Sequence, residues 1–417
     1  MPRASALIPL AVALLACGEA DSKSESRVTR TTGTAVDTVV LHGPLQSLPE
    51  LVVADTVTLT GAAEDLFASN PQAVFPLRDG RTILTEGREY AVFGADGQLA
   101  GRFTRQGQGP GELAYLSALW QDDADSIWTV DPGTRRVSVF APDLTFARSF
   151  QIPNWGDESG ISLWAGLGRD TLAALRFEFA PFSLPPGRAT TMIDLGTWVV
   201  GADSVHLPLR RASGEVEALA PGILPEPIVS TPFGGSQSWR PVGRCMAYGF
   251  SSEWALTLDA PGPDGALRTI ARVVAPDVKP VPVDAERKEA YIEGITRQIR
   301  NDAFRTAYDK ALREHITFAP NIPVFGRILT ARDGAIWIQD YRGTGTGRPD
   351  AWTVLDAANL RAWRLNVPAR SRLLAVDSAR AFIATADEDD VETHHWWILP
   401  ELAGITPPAE CRPSAGR

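Results

Sequence analysis

Few side chains in this sequence of 417 residues are spaced to do chemistry. A nucleophile elbow needs G-x-S-x-G, and Gly234-Gly235-Ser236-Gln237-Ser238 lacks the last glycine. The phosphate loop G-x-x-x-x-G-K-[ST], the zinc motif H-E-x-x-H and the redox motif C-x-x-C are absent. Gly107-Gln108-Gly109-Pro110-Gly111 links two strand-like segments and opens no helix, so it is not a dinucleotide loop. Histidine is scarce: His42, His206, His315, His394 and His395. Neighbours on a strand point to opposite faces, so His394 and His395 cannot build a metal site by themselves. Asp387-Glu388-Asp389-Asp390 offers oxygens of the kind calcium takes, about six to eight per ion. A solvated hairpin tip is the favoured reading of that run. Cys245 and Cys411 stand 166 positions apart. Two readings stay open for them: a disulfide, or a buried apolar Cys245 and a loose Cys411.

The third cysteine has a different setting. Arg3 precedes an apolar run, Ala4 to Ala16, of secretory length and too short to span a bilayer comfortably. Residues 1–16 therefore read as a signal peptide. The run ends in Leu14-Leu15-Ala16-Cys17-Gly18, which resembles the bacterial lipobox. That resemblance implies a diacylglycerol thioether on Cys17 and a membrane partner through the lipid anchor. It places the protein in the cell envelope, at the outer membrane if one is present. An exported location also permits a disulfide. Residues 17–45, rich in Ser and Thr, are expected to be the lipidated cysteine and a flexible tether. Residues 406–417 are expected to be a C-terminal tail.

Between them the composition is that of a globular body. Apolar residues are 44% and charged residues 22%, which excludes a chain disordered throughout and a polytopic membrane protein. The net charge of −10 argues against nucleic acid as a partner. Residues 46–405 repeat. Ile127-Trp128-Thr129-Val130-Asp131 matches Ile336-Trp337-Ile338-Gln339-Asp340, each after a turn. Weaker copies begin at Asp79, Asp170 and Ser378. A second hairpin follows, as in Val137 to Phe150 and Trp352 to Leu365. Asp79 to Asp125 spans 46 residues, the length of one four-stranded propeller blade. Six units are counted, at about 68–104, 113–152, 160–210, 225–276, 317–368 and 370–400. Leu51 to Thr60 alternates like a lone strand, and its expected role is to complete the sixth blade.

Arg105-Gln106-Gly107-Gln108-Gly109-Pro110-Gly111-Glu112 resembles the interblade loop of bacterial six-bladed β-propeller lipoproteins, relatives of the NHL-repeat propellers. The resemblance implies an all-β fold, a six-bladed β-propeller of four-stranded antiparallel blades. Residues 284–315 break the β pattern. Asp284 is an expected N-cap, and Ile292, Ile295 and Ile299 share a face. A helical insert between blades 4 and 5 follows. A structural cap is its favoured role; a lid or docking helix is the other.

In propellers the interblade loops and the loops after each second strand share one face. Here that face would carry Arg105, Gln106 and Glu112, then Asp131, Arg135 and Arg136, then Asp340, Tyr341 and Arg342. Such a ring of charges suits a small polar ligand or a protein loop. The competing reading gives Asp131 and Asp340 to backbone amides or to Arg135. The leading functional expectation is a membrane-anchored, exported propeller that binds a ligand or protein without catalysis. Its body is expected to be monomeric, and no cofactor is required. One alternative is an exported hydrolase or lyase at the channel mouth, with calcium. Another is a structural part of an envelope complex. A fold of this kind does not choose among them.

Overall fold

The computed structural model describes residues 26–33, 36–61, 71, 73–86, 89–154, 161–168, 170–177, 187–218, 228–341 and 349–412. Residues 1–16, expected to be a signal peptide, and Cys17 lie outside the described residues. Within them, the Ile-Trp pairs account for the architecture. Ile127 and Trp128 are adjacent and both fully buried, yet they enter different apolar clusters. Ile336 and Trp337 do the same. A strand buried on both faces must lie between two neighbouring layers. Repeating that layer around an axis gives a ring.

The ring is a six-bladed β-propeller. Blade 1 comprises Ala73–Pro76, Thr82–Glu86, Glu89–Phe93 and Leu99–Arg102. Blade 2 comprises Ala118–Gln121, Ile127–Asp131, Arg136–Phe140 and Phe146–Gln151. Blade 5 comprises Ile328–Thr330, Ile336–Gln339, Asp350–Asp356 and Arg361–Val367. All pairings in these blades are antiparallel. Among the described residues, one cluster of buried apolar side chains fills each of the six seams between blades.

Blades 3 and 4 depart from the expected four strands. Blade 3 has Ile161–Gly166 and Thr171–Phe177, then two strands of 13 residues, Gly187–Val199 and His206–Ala218. A fifth strand, Ile228–Ser230, pairs outside them. Register shifts at Thr191/Met192 and Leu195/Thr197 interrupt the long hairpin, which explains the weak repeat signal there. Blade 4 has Gln237–Val242, Cys245–Phe250, Ala255–Pro261 and Leu267–Val274. Its sheet continues outward through Asp37–His42, parallel to Leu267–Val274, and then Arg27–Thr31.

This corrects the reading of residues 17–45 as a tether. Arg27–Thr31 and Asp37–His42 are strands, and the folded body begins well before residue 46. Val39, Leu41, Leu45 and Leu48 are buried in the seam between blades 4 and 5. The alternation of Val39 and Leu41 with polar neighbours carries the strand, while the surrounding Ser and Thr conceal it. The chain then crosses blade 5, where Leu51 N–H donates to Arg364 O at 2.8 Å. Asp55–Thr58 completes blade 6, pairing antiparallel with Glu392–Ile398, as Leu51 to Thr60 was expected to do. Ser371–Asp377 and Arg380–Ala386 are the other strands of blade 6. Thr60 finally bridges to Gln98 of blade 1.

Two helices fill the connection from blade 4 to blade 5: α1, Ala285–Thr296, and α2, Asp302–His315. Asp284 and Asn301 cap them, accepting from the N–H groups of Arg287 and Phe304. Arg313 of α2 forks onto Glu289 of α1 at 2.6 Å and also pairs with Asp309. Tyr291 packs with Phe233 and Phe318, which seats the pair on the interblade side of blades 3 and 4. No helix among the described residues is long and apolar enough to cross a membrane. Cys245 and Cys411 form a disulfide, Cα–Cα 5.0 Å, and both are fully buried. The bridge ties the chain end after residue 405 to blade 4.

Burying each of Val39, Leu41, Leu45 and Leu48 is worth about 1.5–3 kcal/mol. Together they approach the whole stability of an ordinary domain, about 5–15 kcal/mol. Deleting residues 26–48 is therefore expected to cause aggregation or a large fall in melting temperature, and Leu41→Ala alone to cost about 2–5 kcal/mol. Calorimetry of the two variants checks this. A flexible tether would leave both melting curves where they were.

Candidate functional site

The interblade loop of blades 1 and 2 is held by its own residues. The Glu112 carboxylate accepts from Gly109 N–H at 2.9 Å and from Arg105 Nε at 2.6 Å. The Gly109 amide and then Arg105 hold this carboxyl below its usual range. A Cβ at Gly107 would sit 2.0 Å from a Glu112 oxygen, and Gly111 has φ +75°. The glycines thus let the backbone wrap the carboxylate. Gln106 bridges to Leu113. Asp131 is 1% exposed and accepts from the N–H groups of Ala114, Tyr115 and Thr134 at 2.7, 3.3 and 3.1 Å. Arg135 does not pair with it: that residue sits at φ +52° and donates to Ile152 O at 3.1 Å. Arg136 donates to Gln108 O and Gly109 O.

So Arg105, Gln106, Glu112, Asp131, Arg135 and Arg136 gather at one loop cluster. Asp340 and Tyr341 lie three blades away, on the opposite side of the ring, so the fold does not bring the two groups together. Asp340 pairs with Arg364 at 3.0 Å, and burial raises the Tyr341 hydroxyl above its usual pKa. Arg342 lies outside the described residues. The acidic run forms a turn, with Asp387 accepting from the Asp389 and Val391 N–H groups and Asp390 pairing with Arg370. His394 faces Glu392 and Phe382, while His395 stacks on Trp397. Among the described residues no group of three or more His, Cys, Asp or Glu is placed to hold a metal ion.

A different feature stands at the other end of the channel. There the innermost strand of each blade turns into the second. These ends enclose a cavity of about 540 Å³, lined by residues from all six blades. That volume suits a small organic ligand, for which pockets run about 300–1,000 Å³. Its lining holds five arginines, Arg78, Arg240, Arg244, Arg327 and Arg332, against three acids. Each acid is already engaged. Asp122 accepts from Ala124 and Ser126 N–H and from Trp128 Nε1. Asp123 pairs with Arg78, which also reaches Asp125. Asp377 bonds Arg332 and Arg380. Arg327 donates to Leu373 O and lies 5.4 Å from the Trp352 ring centre. Pro407, near the disulfide, completes the rim.

Sequence reasoning placed the working residues on the opposite face and did not name these arginines. One signal was present. Arg78-Asp79-Gly80 and Arg332-Asp333-Gly334 are the same turn in blades 1 and 5, and its first residue faces the channel both times.

No known protein family matches the chain, and no curated protein matches it. Solved structures are similar to it in fold. A candidate exported protein from Bacteroides fragilis is 11% identical, with 86% of this chain and 98% of that one covered and a TM-score of 0.43. A member of the DUF4221 family from Bacteroides vulgatus is 11% identical over 84% and 98%, with a TM-score of 0.48. Virginiamycin B lyase from Staphylococcus aureus is 7% identical over 82% and 98%, with a TM-score of 0.35. Identities this low assign no activity.

The two ends of the channel each yield a prediction. Asp131→Ala leaves three amides without their acceptor and is expected to lower stability by about 1–3 kcal/mol, read by denaturant unfolding. Asp333 behaves in the opposite sense. Burial, aided by Asp377 and Asp356, pushes its pKa up to about 6 from an ordinary 3.8. The folded state thus binds this proton more tightly than the unfolded chain, and its contribution to stability falls as pH rises through that window. Above it, holding the carboxylate ionised in this setting costs about 3 kcal/mol. Asp333→Asn should raise the melting temperature at about pH 7 and change it little at about pH 4. Equal gains at both would contradict the assignment.

Proposed function

We propose that this protein is an exported, membrane-anchored β-propeller that binds a small ligand in its channel without transforming it. The observation that carries this reading is the cavity of about 540 Å³ walled by the inner strands of all six blades. Strand positions in a closed ring are rigid, and a rigid concave wall with a few polar groups is what a small-molecule site needs. The anchor reading rests on the lipobox-like Leu14-Leu15-Ala16-Cys17. Residues 18–26 separate Cys17 from the first strand. At about 3.3–3.6 Å per residue they span at most about 30 Å. The outer edge of blade 4 is then held close to the membrane, and the two faces of the disc stay accessible.

Cys17→Ser is expected to move the protein from the membrane to the soluble exported fraction. A wild type without an acyl chain would remove the anchor reading. For the channel, the test is a thermal-shift panel of sugars, amino acids, amines, nucleotides and organic acids, with each stabilising compound followed by NMR. A compound that raises the melting temperature saturably and is recovered unchanged supports the proposal. Turnover of that compound would make the protein an enzyme.

A further inference from the structure

The six inner strands can be compared position by position. In each blade, one inner-strand residue lies opposite the second-strand residue that fills the seam to the next blade. These are Phe75, Trp120, Ala165, Arg240, Leu329 and Ala375, opposite Ile83, Trp128, Ala173, Ala247, Trp337 and Phe382. The seam clusters confirm that the six partners are equivalent. Five of the six positions are apolar. The fourth is arginine. Repeated positions recur for folding reasons, so a single charged exception needs a reason of its own.

The fold supplies none. Arg240 forms no ion pair among the described residues, and its hydrogen bond goes to Trp239 O at 2.7 Å. A guanidinium carries five N–H donors. Burial alone lowers its pKa from the ordinary value. Arg240 is half-buried on the cavity wall, where an unpaired cation is only partly hydrated, and an apolar residue would fit the register better. The surroundings add to the positive potential. Arg327 and Arg332 flank the neighbouring inner strand of blade 5. That strand is tied directly to the one carrying Arg240, Thr330 Oγ1 donating to Pro241 O and Ile328 N–H donating to Ser238 Oγ. On blade 2 the buried indole N–H of Trp120 has no acceptor and lies against Gly166 of blade 3.

We propose that the cavity binds a small organic molecule bearing two or more oxyanion groups, carboxylate or phosphate, with Arg240 as its anchoring cation. A planar fork of N–H donors matches either oxyanion bidentately, and a second anionic group meets Arg327 or Arg332. This rests on the channel-binding reading above and names its ligand class. The cavity is concave and closed by six strands, which selects a small molecule over a polymer.

The test uses the whole folded body with citrate and pyrophosphate as probes, read by calorimetric titration and by thermal shift. The two probes separate a carboxylate source from a phosphate source. Saturable binding of either one, weakened at least tenfold by Arg240→Met, is the expected result. Arg240→Met should leave the melting temperature of the unliganded protein unchanged or higher, because it removes an unpaired, half-buried charge. Arg240→Lys keeps the charge and loses the fork, and is expected to bind about tenfold more weakly. Unaltered affinity in either variant would overturn the proposal, as would a large melting loss in Arg240→Met, which would make the residue structural. Absence of binding by both probes while a neutral or cationic panel compound binds would overturn the anion class and leave the channel-binding reading standing. Absence of all binding would overturn both.

Discussion

A ring of sheets has to close, and the rest of this molecule depends on how it does so. An open blade edge would present unpaired N–H and C=O groups to other chains. Here the closing segment is unusually extended. Residues 27–42 add two strands to blade 4, residues 49–51 run along blade 5, Asp55–Thr58 completes blade 6, and Thr60 reaches blade 1. One stretch of chain therefore binds four blades in sequence. The Cys245–Cys411 bridge fixes the other chain end to blade 4. Opening the ring at blade 6 would require stripping a segment that is also buried between blades 4 and 5.

That closure is what permits polar walls inside. Arg240, within an inner strand, and Arg332 and Asp333, in the turn after one, sit where burial opposes their charged forms. Six apolar seams supply the stability that tolerates them. The seams are built economically: adjacent residues on each second strand serve two different seams, so each Ile-Trp pair stabilises both sides of its blade. First-strand side chains such as Ala118, Ile328 and Leu329 also enter the seams, and the strand ends and turns supply the polar groups of the cavity.

Much of this was legible in the sequence. The Ile-Trp pairs, with their weaker copies and the hairpins that follow, carried the blade count, because a doubly buried strand leaves a mark that a one-sided strand does not. The Gly107 to Glu112 loop was legible because a wrapped carboxylate requires glycines at fixed places. The insert was legible through Asp284 and a change of period. Residues 27–42 were not. Their sheet partner, Leu267–Val274, lies some 230 positions away, and nothing local announces a parallel pairing at that distance. The cavity was hidden for a similar reason. Its lining takes a few residues from each blade, spread from Ala73 to Pro407, and they form no motif in the chain.

The repeat itself explains why the first choice of site residues fell on the other face. Asp131 and Asp340 attract notice because they recur, and recurrence in a propeller marks what every blade needs. Asp131 clips an interblade loop to a turn, and Asp340 grips Arg364. The same position has different partners in the two blades, and the contacts seen in both are internal to the protein. A residue that serves a ligand has no cause to recur, since a small molecule in a six-fold channel is rarely six-fold itself. Such residues are found where the repeat fails. By that criterion Arg240, charged where five equivalents are apolar, is a stronger guide to the working end of the channel than any of the conspicuous acids.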